Sequence, residues 1–173
     1  MVMDKNYIAY GLVFLNAIIQ LASCFWYSDL PGFVWTLADS IVILVPLVFG
    51  LRMGLLNLLP VVVSEFVWFF KLGVPGPLLH LAAFTVAVLL MAAAHRRLAA
   101  MQGQKSAVLS GILFIAGLAG EELLYHGLRL LVLQKPVNWD AFYGAVFSPV
   151  VLIVLLLVVF VSRPDRRKEN YEA

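Results

Sequence analysis

Long apolar runs alternate with short polar or breaker-rich joints along almost the whole chain. A membrane-crossing helix takes about 20 mostly apolar residues, and six stretches come close to that length. They cover residues 7–27, 33–50, 55–70, 78–95, 106–133 and 141–162. The joints are Asp29-Leu-Pro-Gly, Leu51-Arg-Met-Gly54, Lys71-Leu-Gly-Val-Pro-Gly-Pro77, Met101 to Lys105, and Lys135-Pro-Val-Asn-Trp-Asp140. Glycine and proline punctuate most of them, as turns require. The predicted fold class is therefore all-α: a polytopic membrane bundle of about six transmembrane helices in a single domain, residues 1–173. Residues 163–173 form a basic tail.

Composition agrees. Apolar residues make up 63% and charged residues 13% of the 173 positions, and mean hydropathy is +0.97. A soluble domain would carry about 25% charge. Ordinary cytosolic enzymes and disordered chains are excluded on this count. The single cysteine, Cys24, excludes an internal disulfide framework and a cysteine-based zinc site.

The formal charge is only +2, too small to suggest nucleic acid as a partner, but its distribution is uneven. With six spans, Lys5, Arg52, Arg96, Arg97, Lys105, Arg163, Arg166, Arg167 and Lys168 fall on the side of the termini. Only Lys71, Arg129 and Lys135 fall on the other. The positive-inside rule then predicts that both termini are cytoplasmic. Trp26, Tyr27, Trp35, Trp68, Trp139 and Tyr143 sit near span ends, where an aromatic belt is expected.

The second and third spans each contain a proline, Pro46 and Pro60, and an acid, Asp39 and Glu65. An ionisable residue at mid-membrane costs about 2.5–3.5 kcal/mol on insertion scales, so such residues default to a role inside the bundle. They are Asp39, Glu65, Glu121, Glu122, His126 and Arg129. Asp39 is expected near the outer end of its span. Glu122, His126 and Arg129 recur at i, i+4 and i+7, which places them on one helical face. A hydrogen-bonded chain from Glu122 through His126 to Arg129 is expected there. Glu121 points about a quarter-turn away, toward another helix or a partner. Three readings of this face stand: a polar packing seam, a ligand pocket and a catalytic site.

Specific chemistry finds little support. Glu121-Glu-Leu-Leu-Tyr-His126 resembles the E-E-x-x-x-R signature of the CAAX-protease-like intramembrane proteases. His126 replaces the arginine, however, and no histidine follows it. One carboxylate–histidine pair supplies at most two metal ligands; His80 or Glu65 would have to complete the set from other helices. No phosphate-binding glycine loop or serine–histidine pair is evident. The expectation is no cofactor, no metal and no catalytic residue, with Glu65, Glu121, Glu122, His126 and Arg129 as ligand- or partner-binding candidates.

Several local features together resemble the MreD family of bacterial rod-shape-determining membrane proteins. Asp39 opens an apolar run that leads into Gly50-Leu-Arg-Met-Gly54, similar to that family's second span and G-L-R-x-G turn. Leu72 to Pro77 followed by Leu78 to Arg97 is similar to its outer loop and fourth span with a basic end. Glu122 to Gly127 matches an acid-to-glycine spacing in the fifth span, and Phe142 through Pro149-Val-Val-Leu152 is similar to the last. The resemblance covers nearly the whole chain. It implies a non-enzymatic scaffold of the cell-wall elongation machinery in the bacterial inner membrane, maintaining cell shape. The implied partners are membrane lipid, an MreC-like protein, and through it a RodA-type glycosyltransferase and a class B penicillin-binding protein that serve peptidoglycan synthesis.

A second resemblance belongs to another class. The S-components of energy-coupling-factor vitamin transporters are six-span bundles of similar size with a similar turn after the second span. That reading implies a vitamin site near the outer surface, built from the end of the third span, the loop Lys71 to Pro77 and the polar residues Glu121 to Arg129. Trp68, Trp139 and Tyr143 would stack on the ligand. It also implies small residues at i, i+4 on the first span, a series that Ala9, Ala17 and Ala22 do not make.

Overall fold

The computed structural model describes residues 5–26, 30–101 and 104–162. They form seven helices: α1 (Lys5–Trp26), α2 (Gly32–Phe49), α3 (Leu51–Leu72), α4 (Gly76–Ala99), α5 (Gln104–Leu133), α6 (Trp139–Val146) and α7 (Pro149–Val161). The first five, and α6 with α7 taken together, are long and apolar enough to cross a membrane six times. The fold is the all-α polytopic bundle that the hydrophobic pattern predicts. Tyr27, Asp29 and the basic tail 163–173 lie outside the described residues.

The central element is α2. It packs against α1, α3, α4, α5 and α7, and its run from Ser40 to Leu47 is buried without interruption. That continuous burial explains why this span reads as aliphatic on every face rather than on one stripe. Phe84, Phe114, Leu118 and Val158 close around it from α4, α5 and α7. The other helices turn large apolar side chains outward, among them Phe14, Leu59, Leu90, Ile112 and Phe160.

Apolar contact alone does little to hold helices together in lipid, where tails and side chains are alike. Close packing and buried hydrogen bonds do more. Asn16 of α1 donates from Nδ2 to the backbone and side-chain oxygens of Asn57 on α3, at 3.1 and 3.0 Å. Asn57 in turn donates to the carbonyl of Ile41 on α2 at 3.1 Å. This bond chain ties three helices, and both asparagines are fully buried.

The joint between α2 and α3 is shorter than the sequence suggests. Leu51-Arg-Met-Gly54 belongs to α3, not to a loop, and Gly50 alone reverses the chain. Its φ of +82° lies where only glycine sits without strain. Its amide donates to Pro46 O at 3.0 Å. His95 of α4 bonds Leu47 O through Nδ1 at 3.0 Å, satisfying one of the orphan carbonyls at the end of α2. Gly54 is a point of close approach, because a Cβ there would stand 2.6 Å from Pro46 Cβ.

The last span is broken. Phe147 and Ser148 separate α6 from α7, and Ser148 caps the second piece by accepting from Val150 N at 3.3 Å. Pro149 takes the first helical position, where a missing N–H costs nothing. The sixth span thus consists of two helices, not the single one expected over 141–162.

Candidate functional site

The α3–α4 and α5–α6 connections lie at the same end of the bundle. At this end a cavity of about 480 Å³ opens among α1 to α5. Gln20, Ser64, Glu65, His80, Tyr125 and Arg129 contribute polar atoms to its wall, and Trp35 and Trp68 contribute aromatic faces. The tight α3–α4 joint forms part of the rim. Gly73 ends α3 in the left-handed conformation, and Pro77 opens the first turn of α4.

This hairpin brings Glu65 and His80 to one depth. His80 Nδ1 meets Glu65 Oε1 at 2.7 Å, and His80 Nε2 lies 3.7 Å from Glu121 Oε1. One imidazole therefore stands between carboxylates of α3 and α5. Its ring packs on Phe84 and Tyr125, with centroids 4.4 and 4.8 Å away. Glu121 is buried, and neither of its oxygens has a hydrogen-bond partner among the described residues. Asp39 lies eight residues into α2 and is half-buried.

The expected hydrogen-bonded chain along α5 does not form. His126 Nε2 stands 3.7 Å from Glu122 Oε2, beyond hydrogen-bond distance, and both residues are buried. Arg129 does not join them. The guanidinium lies over the Tyr125 ring, 5.4 Å from the centroid, and lines the cavity. It makes no ion pair with any described residue. Seven residues separate Glu122 from Arg129, about 10 Å along the axis, which puts the two at different depths. Glu121 does reach another helix, as its offset predicts, and the group it meets is His80.

Four of the candidate residues, Glu65, Glu121, Glu122 and His126, thus sit in or beside one buried polar cluster, and Arg129 lies nearer the mouth of the cavity. His80 is the hub, although the sequence suggests it only as a possible metal ligand. The signal that finds it is the hairpin itself, which folds residues 65 and 80 back to facing positions. Trp35 and Trp68, expected near span ends, line the cavity. Trp139 and Tyr143, expected to stack on a ligand, are exposed on α6 and do not line it.

Lys71 donates to the Cys24 carbonyl and stands over the Trp68 ring at 4.9 Å, closing α1 against α3 near the mouth. Among the described residues, no group of three or more histidine, cysteine, aspartate or glutamate side chains is arranged to hold a metal ion. Chemically, the arrangement can hold protons between imidazole and carboxylates and can present one guanidinium and aromatic faces to a small molecule.

Compared with known protein families, curated proteins and solved structures, the chain matches none of them.

Proposed function

We propose that this chain is a non-enzymatic integral membrane scaffold of the bacterial cell-wall elongation machinery, similar to MreD. Its two termini face the cytoplasm across the inner membrane, and it maintains cell shape through an MreC-like protein, a RodA-type glycosyltransferase and a class B penicillin-binding protein. One observation carries the reading. Almost all of the described chain lies in membrane-crossing helices whose outer faces are apolar, so its means of action is lateral contact within the bilayer. The turn that carries the resemblance supports it: Gly50 and Gly54 stand where the α2–α3 hairpin demands glycine. Depletion of the protein in its own bacterium tests this. Rod-shaped cells should round up, and Glu121→Gln with Glu122→Gln should still restore shape. Unchanged shape on depletion contradicts the scaffold.

The cavity favours a second reading, an S-component-like binder of a small molecule. A volume of about 480 Å³ with aromatic walls and a few polar groups suits a small ligand. The end of α3, Val74 to Pro77 and Arg129 all contribute to it, as that resemblance implies.

A further inference from the structure

The two ends of the cavity carry different polar groups. At the inner end Glu65 and His80 reach the wall, and Glu121 stands behind His80. Two carboxylates flank one histidine there. Among the described residues no lysine or arginine pairs with any of them. Charge buried at membrane depth requires compensation, and Glu121 keeps both oxygens without a hydrogen bond although its side chain is fully enclosed.

At the mouth the charged groups are basic. Arg129 and Lys135 both line the cavity, and neither makes an ion pair with a described residue. Lys71 is already committed to the Cys24 carbonyl and the Trp68 face. Between the two ends stand Trp35, Trp68 and Tyr125, whose ring faces attract cations.

We infer that the cavity binds a small zwitterion, with its protonated amine directed inward to the Glu65 carboxylate beside His80 and its carboxylate or phosphate held by Arg129 and Lys135 at the mouth. The inference rests on the cavity being a ligand site and not on which machinery the chain serves. Guanidinium groups suit the outer end because they bind carboxylate and phosphate in two-pronged fashion. The same chemistry occurs in a free small molecule and in the headgroup of a zwitterionic phospholipid.

The test uses the purified full-length protein in dodecyl maltoside. Tryptophan emission is followed during titration with O-phosphoethanolamine, inorganic phosphate or ethanolamine. Two of the four tryptophans line the cavity and report occupancy. O-phosphoethanolamine should saturate at a concentration about tenfold below that of either half-molecule. Glu65→Gln and Arg129→Gln should each raise half-saturation about tenfold, and Trp139→Phe should leave it unchanged. Arg129 lies near the mouth, so its variant decides the matter if Glu65→Gln fails to accumulate. An equal response to phosphate or ethanolamine alone, or an undiminished response in Arg129→Gln, overturns the inference.

Reconstitution separates the sources. A response lost in phosphatidylethanolamine nanodiscs and kept in phosphatidylglycerol nanodiscs assigns a lipid headgroup; a response kept in both assigns a free zwitterion. A thermal-shift screen of neutral aromatic compounds separates the two modes of failure. If these stabilise the protein and O-phosphoethanolamine does not, the zwitterion is wrong and the ligand site stands. If nothing stabilises it, both fall.

Discussion

His80 of α4 and Glu65 of α3 meet at 2.7 Å across the α3–α4 hairpin, and the same imidazole turns its other nitrogen toward Glu121 of α5. Three helices that meet lipid on their outer faces are thereby linked through one side chain. Such a link matters as much for what its loss leaves unpaired as for its own strength.

Glu65→Leu should therefore destabilise the protein more than Glu65→Gln, because the amide keeps an oxygen acceptor for His80 and leucine does not. A hydrogen bond to a charged group contributes about 1.5–3 kcal/mol. Thermal unfolding in detergent, read by size-exclusion recovery after heating, ranks the two variants. A glutamine variant no more stable than the leucine one would mean that the bond to His80 does not hold the two helices together.

Asn57 makes a parallel case deeper in the bundle. Asn57→Leu removes the side-chain acceptor of Asn16, whose bond to the Asn57 backbone oxygen remains, and the donor to Ile41 O. A loss of about 1–3 kcal/mol is expected. Adding Asn16→Leu should recover part of it, which a thermal unfolding series on the two variants would reveal.

The α2–α3 joint should tolerate no side chain. Gly50→Ala forces an alanine into φ near +82° beside the His95 ring, at about 1–2 kcal/mol. Gly54→Ala drives a Cβ against Pro46, at about 1–3 kcal/mol. Gly11→Ala meets nothing within 4 Å and serves as the control. Folded yields from membranes should fall for the first two only.

Sidedness can be read with cysteines. Cys24 is the only native cysteine and is buried, so its background labelling should be low. Val74→Cys beside the cavity should react with a membrane-impermeant maleimide in intact cells with a permeabilised outer membrane. Arg52→Cys, at the opposite end of the bundle, should react only after the inner membrane is lysed. The reverse pattern would invert the orientation expected from the lysine and arginine distribution.

What the sequence disclosed follows from where the information is local. Span number is a property of apolar length, and the described helices reproduce it. The inward facing of Glu121 followed from its offset on α5. What escaped depends on contacts between distant segments. His80 gains its position from a hairpin that pairs it with Glu65. That Trp35 and Trp68 line a cavity is hidden because composition does not say which way an indole faces. Gly50 was hidden in a four-residue joint because a single left-handed glycine suffices to reverse the chain. Arg129 left the expected chain for Tyr125, a choice that helical spacing alone does not make.

The most direct measurement of the central claim is what comes with the intact protein out of its own membrane. The full chain, tagged after Ala173, is solubilised from native cells in mild detergent and its co-purifying proteins are identified by mass spectrometry. The scaffold account predicts an MreC-like protein together with a glycosyltransferase and a transpeptidase of cell-wall elongation. Recovery instead of a membrane coupling subunit with a pair of ATPases would contradict it and assign the bundle to transport.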